Sequence, residues 1–404
     1  MDYCEMNARL AGLVVFRELL QDPVVAAFRR MLAQGAGGDE LAFLDAAAAF
    51  ESALFEHGTS WTAYLETLVL ESENVYIRRA ARKKEDPVLE AALAAELCFL
   101  QQLSALTWPM LLAGVPGLTE AQRARVDLLQ PWRTETVDFA GDYARRTAEA
   151  DRKGYGMFAK YHVFTVENGH LVPVRHPDPQ RLSELPGYEG EREKVIANTR
   201  ALLEGMPANN VLLYGDAGTG KSSAVKAIAN EYAGLGLRLV EVKKNQLYQI
   251  PDLMDSLAAN PLKFILFIDD LSFTANDDNF AALKAILEGS VGGRARNIAV
   301  YATSNRRHLI KETLEDRAGD DIHEADTRQE LMSLSARFGL TVTFQRPEKQ
   351  RFAHIVAELA AQYGVDLPAD ELLKKAEAFA IRAGGRSPRV AKQFIEMCRA
   401  GVPV

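Results

Sequence analysis

The stretch Val211-Leu-Leu-Tyr-Gly-Asp-Ala-Gly-Thr-Gly-Lys-Ser222 decides how the rest of the chain is interpreted. Its first four residues are apolar and predict a short buried strand, whereas the residues from Ser222 to Asn230 predict a helix. The pattern GxxxxGKS between them is a specific signal for a phosphate-binding loop when it connects a strand to a helix. Glycines let successive backbone N–H groups face one anion, and the helix N-terminus adds free donors and the positive end of its dipole.

This loop predicts an ATP site that uses magnesium. We expect Lys221 to reach the β- and γ-phosphates and the Ser222 hydroxyl to hold Mg²⁺. The predicted nucleotide-binding set is Gly215, Asp216, Ala217, Gly218, Thr219, Gly220, Lys221, Ser222 and Ser223.

Short apolar segments alternate with predicted helices from Leu185 onward, which indicates an α/β domain. Several of the segments are apolar on both faces, as parallel strands covered by helices are. After Pro347 the chain is predicted to be helical to its end. The predicted strands are 211–214, 237–242, 264–268, 298–302 and 340–344.

Two carboxylates follow the apolar strand Phe264–Ile268. In phosphate-loop enzymes the first acid of such a pair meets the magnesium shell, which is the role we predict for Asp269. The second is placed to orient or deprotonate the attacking water, which is the role we predict for Asp270. Glutamate is commoner at that position, and aspartate is one methylene shorter, so the departure concerns the rate of hydrolysis more than ATP binding.

Further segments resemble AAA+ ATPases. Ile298-Ala-Val-Tyr-Ala-Thr-Ser-Asn305 resembles the sensor 1 strand, which implies that Asn305 bonds the γ-phosphate or the water. Ser333-Leu-Ser-Ala-Arg337 looks like the segment that carries an arginine finger, which implies that Arg337 reaches a neighbouring subunit's γ-phosphate. Arg317 is a weaker candidate for that role.

The segment Gly384-Gly-Arg-Ser-Pro-Arg389 is similar to the start of the sensor 2 helix, with Arg389 the matching residue and Arg386 the reserve. Over about residues 150–400 the chain resembles one uncharacterised bacterial AAA+ family. The resemblance implies a five-stranded parallel sheet with helices on both faces, a C-terminal helical lid, and ATP and Mg²⁺ as ligands. The match at Arg337 implies assembly into a homo-oligomer. It supplies no substrate.

The remaining sequence predicts the domain organisation. Residues 1–150 show helical apolar spacing, and we expect a helical packing or partner-binding region there. Residues 151–186 gather glycines and prolines, which predicts a linker with a possible short hairpin. Residues 187–346 are the predicted ATP-binding α/β domain, and residues 347–404 are the predicted lid.

Composition and charge bear on the cellular compartment and on the class of partner. A formal net charge of −8 gives no whole-chain footprint for nucleic acid. The three cysteines are far apart in sequence and form no CxxC pair, which is typical of a reducing compartment. Neither a signal-peptide pattern nor an uninterrupted apolar span is visible. We therefore expect a cytoplasmic protein without a membrane partner.

Two functions fit these motifs. The first is an ATPase that couples hydrolysis to remodelling a macromolecule, and the second is a slowly hydrolysing ATP-dependent switch or loader. A small-molecule kinase needs an acceptor pocket, and a GTPase is disfavoured because no NKxD motif is present. Whether the partner is protein or nucleic acid stays open. The stretch Lys243–Tyr248 is a faint candidate for a pore loop. A small basic cluster is a faint candidate for a nucleic-acid contact, although a solvated surface is the favoured interpretation; it consists of Arg294, Arg296, Arg306, Arg307 and His308.

Overall fold

The structure is a computed structural model that describes residues 2–81, 84, 86–271, 278–288, 295–305 and 337–403. The chain divides into two compact units, Met1–Lys160 and Tyr161–Val404. The predictions for Arg294, Arg306, Arg307, His308 and Arg317 fall outside the described residues.

The first unit is helical, as the sequence predicts. Aspartates begin several helices by accepting hydrogen bonds from N–H groups of the first turn, as Asp22, Asp39 and Asp86 do. Its core is aromatic, with Phe28 stacked on Trp61 at 4.7 Å between ring centroids. The helices are α1 (Tyr3–Ala11), α2 (Pro23–Gly37), α3 (Glu40–Phe55), α4 (Trp61–Glu71), α5 (Val75–Ala80), α6 (Pro87–Ser104), α7 (Trp108–Gly114), α8 (Glu120–Val126), α9 (Phe139–Ala148), α10 (Ala150–Lys153) and α11 (Met157–Lys160).

Within the described ranges, no single helix has the length and apolar character needed to cross a membrane; α6 and α7, bent by 96° at the break between them, meet that requirement only as a pair and only by length and composition.

The second unit alternates strands and helices before it becomes helical. Its strands are β1 (Val163–Glu167), β2 (His170–Pro173), β3 (Val211–Gly215), β4 (Leu237–Val242), β5 (Lys263–Ile268), β6 (Ile298–Ser304) and β7 (Leu340–Phe344). Its helices are α12 (Glu189–Leu203), α13 (Lys221–Tyr232), α14 (Ile250–Ala258), α15 (Asp278–Glu288), α16 (Lys349–Tyr363), α17 (Ala369–Arg382) and α18 (Pro388–Arg399).

The sheet order is β2-β1-β4-β5-β6-β3-β7. The five predicted strands are all parallel neighbours in the block β4-β5-β6-β3-β7. The described sheet has seven strands rather than the five expected, because the hairpin β1–β2 continues it: β1 pairs parallel with the edge of β4 and buries Phe164 and Val166. The predicted α/β architecture, a mainly parallel sheet with helices, C-terminal helices and a helical N-terminal region, is confirmed.

This strand order positions the site. Strand β6 lies between β3, which leads into the phosphate loop, and β5, which ends before Asp269. Because the carboxyl ends of parallel strands lie at one edge of a sheet, residues that follow β3, β5 and β6 meet there. The C-terminal helices share one hydrophobic core with the sheet, with Phe344, Phe352 and Phe394 among its members. The finer boundaries at 186 and 346 therefore stay predictions.

Candidate functional site

The phosphate loop follows β3 and needs its glycines. Gly215 has φ +137°, and a Cβ there would lie 2.0 Å from the Phe344 carbonyl oxygen on the neighbouring strand, so only glycine fits. Gly218 and Gly220 also have positive φ, at 77° and 90°. Helix α13 begins at Lys221, immediately after the loop, so its first N–H groups have no acceptor within the helix and are available to an anion.

Lys221 lies at the centre of the site. Its side chain is buried, and its Nζ donates to the carbonyl oxygens of Gly215 and Asp216, each at 2.8 Å, and to Asn305 Oδ1 at 3.0 Å. Desolvation lowers the pKa of Lys221 below its ordinary value, while the nearby carboxylates oppose that shift. The ammonium is therefore directed into the loop, and its neighbours are groups that a phosphate can replace.

The hydroxyl and the carboxylate predicted to hold magnesium are in direct contact. Ser222 Oγ donates to Asp269 Oδ1 at 2.6 Å, although the two residues are 47 positions apart in the chain. Thr303 Oγ1 donates to the same oxygen at 2.5 Å. Oxygen ligands of these two types are those that Mg²⁺ takes from proteins. One ion at this position would contact both Ser222 and Asp269.

Asp270 has a left-handed backbone, with φ +52°. Its N–H donates to Thr303 Oγ1 at 2.9 Å, and its Oδ1 accepts from Asn305 Nδ2 at 2.8 Å. Aspartate is among the non-glycine residues that enter this conformation most easily, because its short polar side chain can hydrogen-bond to nearby backbone. The backbone therefore gives a physical reason for aspartate, rather than the longer glutamate, at this position.

These residues line a cleft of about 530 Å³, a volume typical of ligand sites. Part of the lining is apolar and belongs to Leu185, Pro186 and Leu359. Tyr188 is also in the wall; its hydroxyl donates to the Gln345 carbonyl oxygen at 2.6 Å. No local sequence motif marks these wall residues, because they come from distant segments that meet only when the sheet and the last helices pack together.

The two candidate sensor 2 arginines have different surroundings. Arg389 lines the cleft, its backbone N–H donates to the Gly218 carbonyl oxygen at 3.2 Å, and its charge contributes to lowering the pKa of Lys221. Arg386 instead pairs with Glu377, with Nε 2.9 Å and 3.0 Å from the two carboxylate oxygens, and is not among the cleft residues. The cleft thus receives Arg389 from the start of α18.

Arg337 lies at the other edge of the sheet. It is three residues before β7, in which Leu340 pairs with Val211 and Phe344 pairs with Gly215. The length of β7, about 16 Å for five residues, therefore separates Arg337 from the phosphate loop of its own chain. The cleft of the same chain takes no part of its lining from Arg337.

The residues of the cleft fit ATP with magnesium. The loop offers glycines at positive φ, a helix N-terminus, Lys221 and Arg389 for phosphates, and the contact between Ser222 and Asp269 offers oxygen ligands for the ion. Among the predicted site residues that the structure describes, Arg337 lies at the opposite end of β7 and the reserve residue Arg386 lies outside the cleft.

Comparison with known proteins gives three findings. Residues 158–402 match the model of a family described as "Protein of unknown function (DUF815)". Over 122 residues the chain is 32% identical to the replication factor C large subunit of Staphylothermus marinus, a match that covers 27% of this chain and 28% of that protein. Two variants of Thermotoga maritima RuvB align with a TM-score of 0.36, at 18% and 17% identity, over 55% of this chain and 65% and 64% of theirs. The chain spans little more than a quarter of the curated relative and just under two thirds of the solved ones.

Proposed function

We propose that this chain, which belongs to the DUF815 family, binds ATP with Mg²⁺ and hydrolyses it to drive a conformational change in, or the remodelling of, a macromolecular partner. The observation that carries the proposal is the contact between Ser222 Oγ and Asp269 Oδ1 at 2.6 Å, which joins the phosphate loop to the acidic strand end. Magnesium would supply charge neutralisation on the phosphates there.

The chain's own residues have defined tasks in this proposal. Lys221 would exchange its carbonyl acceptors for phosphate oxygens, and Asn305, which is bonded to both Lys221 and Asp270, would contact the γ-phosphate. Asp270 takes a proton from the attacking water; the new bond joins the water oxygen to the γ-phosphorus, and the bond to the β-phosphate oxygen breaks to release ADP. The apolar lining at Leu185, Pro186 and Leu359 suits the adenine ring.

The test compares three chains for binding of a fluorescent ATP analogue and for phosphate release. Wild type should show both activities, Lys221→Ala should lose binding, and Asp270→Asn should keep binding and lose turnover. A wild-type chain that binds no ATP in the presence of Mg²⁺ would refute the proposal.

A second candidate is a slowly hydrolysing switch or loader that acts through ATP binding alone. The observation that favours it concerns Asp270. Its side chain is one methylene shorter than glutamate, its backbone is left-handed, and its carboxylate already accepts a hydrogen bond from Asn305. In this alternative, ATP still binds with Mg²⁺, but turnover by wild type is no faster than by Asp270→Asn.

Arg389 is expected to contribute to ATP binding, whereas Arg386 is not. Replacing Arg389 by alanine removes a cation from the cleft and should weaken ATP binding about 10- to 100-fold, the equivalent of one charged hydrogen bond. Arg386→Ala is the matched control, because it removes the same charge from the same segment but breaks only the pair with Glu377. Equal affinities of both variants for ATP would contradict the assignment.

Arg337 is expected to act in the cleft of a neighbouring copy. Arg337→Ala should lower turnover by on the order of 10³-fold while the cleft of the same chain stays intact. Mixing that variant with Lys221→Ala should restore activity, because about a quarter of the sites in an equal mixture of a ring would combine an intact loop with an intact arginine. The measurement is phosphate release by the mixture.

The control mixture replaces Lys221→Ala with the double variant that lacks both Lys221 and Arg337. That mixture contains no intact arginine, so it should stay inactive. Recovery of phosphate release in the control mixture would count against a shared site. So would a first mixture that stays inactive while light scattering shows a monomer.

A further inference from the structure

Thr303 connects the two acids of the site. It is the penultimate residue of β6, and its side chain is buried. Its Oγ1 donates to Asp269 Oδ1 at 2.5 Å and accepts the N–H of Asp270 at 2.9 Å. Its carbonyl oxygen accepts the N–H of Leu271 at 2.7 Å. One residue of the neighbouring strand thus holds three consecutive residues at the end of β5.

Three hydrogen bonds converge on one oxygen of Asp269, and the bond from Thr303 is one of them. Its Oδ1 accepts from Ser222 Oγ at 2.6 Å, from Thr303 Oγ1 and from the N–H of Asp270 at 3.1 Å. Three donors thus hold one oxygen of the carboxylate, and two of them come from residues far away in the chain, Ser222 and Thr303. The orientation of the carboxylate is therefore set by the protein's own bonds before a cation arrives.

The same hydroxyl supports the left-handed turn at Asp270. A non-glycine residue with φ near +52° costs free energy and persists where surrounding bonds determine it. Here those bonds are from the Asp270 N–H to Thr303 Oγ1 and from the Leu271 N–H to the Thr303 carbonyl oxygen. This turn aims the Asp270 side chain at Asn305, whose other end contacts Lys221.

We infer that Thr303 is a positioning residue, which sets the orientation of Asp269 for magnesium and of Asp270 for water. The inference rests on the proposed function. The hydroxyl is the part that acts, since it is hydrogen-bonded to both acids; the other branch of the side chain is a methyl group, which forms no hydrogen bond. The two parts can be removed separately, because valine keeps the shape without the hydroxyl and serine keeps the hydroxyl without the methyl.

The test compares wild type, Thr303→Val and Thr303→Ser in the full chain. The measurements are turnover, affinity for a fluorescent ATP analogue in Mg²⁺ and in EDTA, and the melting temperature. Thr303→Val should lower turnover and the Mg²⁺-dependent gain in ATP affinity about 10- to 100-fold, as loss of a residue behind a metal ligand does, with affinity in EDTA unchanged. Thr303→Ser should stay within about threefold of wild type in both, since the bonding group remains.

Two outcomes would overturn the inference. One is Thr303→Val with wild-type turnover and wild-type gain from Mg²⁺. The other is a loss shared by both variants in proportion to their melting temperatures, which is what a packing role alone predicts. If wild type binds ATP without hydrolysing it, the inference is tested by the Mg²⁺-dependent gain in ATP affinity alone. A wild type that binds no ATP refutes the proposed function itself, and this result is obtained before any variant is compared.

Discussion

Lys221→Ala is expected to weaken binding of Mg²⁺-ATP a hundredfold or more, which corresponds to about 3 kcal/mol. The reason is the position of the ammonium, which is buried at the loop and, among the residues that the structure describes, donates to two loop carbonyls and the Asn305 amide oxygen. Phosphate oxygens are stronger acceptors than these because they carry charge. Alanine leaves the phosphates without this partner.

The measurement is the Kd of a fluorescent ATP analogue, with the melting temperature as a check on folding. Lys226→Ala is the matched control, since Lys226 lies on the same helix, is not among the cleft residues, and its Nζ is 3.9 Å from Glu241. The control should bind like wild type. An unchanged Kd in Lys221→Ala would contradict the assignment of the loop as an ATP site. An equal loss of affinity in both variants would mean that the net charge of the helix, rather than the position of Lys221, controls binding.

The sequence predicts the parts of the fold that are encoded locally. The phosphate loop is one continuous pattern, and five strands are recognisable because each is a short apolar run between turn residues. The acid pair and Asn305 follow two such strands, so placing them at one edge requires only that the strands be parallel. These features need no information from distant parts of the chain.

The sequence did not predict features that depend on distant contacts. In the sequence Thr303 is one more residue of an apolar strand. Its contacts with Asp269 and Asp270 depend on the pairing of β6 with β5. The hairpin β1–β2 was expected in a linker, but its pairing with β4 places it in the sheet. The left-handed backbone of Asp270 is likewise not predictable from the sequence. It also changes the meaning of a sequence difference, since aspartate is the acid that this backbone accommodates.

Asp270→Asn is expected to lower the rate of ATP hydrolysis by about 10²- to 10⁴-fold, the usual contribution of a general base. Asparagine has the same shape as aspartate and enters the left-handed region as readily, so φ +52° should persist. The variant therefore removes the charge of the side chain without disturbing the turn. The measurement is phosphate release at saturating ATP, beside the Kd of the fluorescent analogue, which should change little.

The matched control is Asp255→Asn, an exposed aspartate on α14 outside the cleft, which should hydrolyse ATP at the wild-type rate. Asp270→Glu adds a second comparison, because it restores the charge but costs about 1–2 kcal/mol in the left-handed backbone. If Asp270 is the base, glutamate should recover part of the rate lost in asparagine. If wild type and Asp270→Asn turn over equally slowly while both bind ATP, Asp270 is not a base here, and the chain works as a switch that responds to ATP binding.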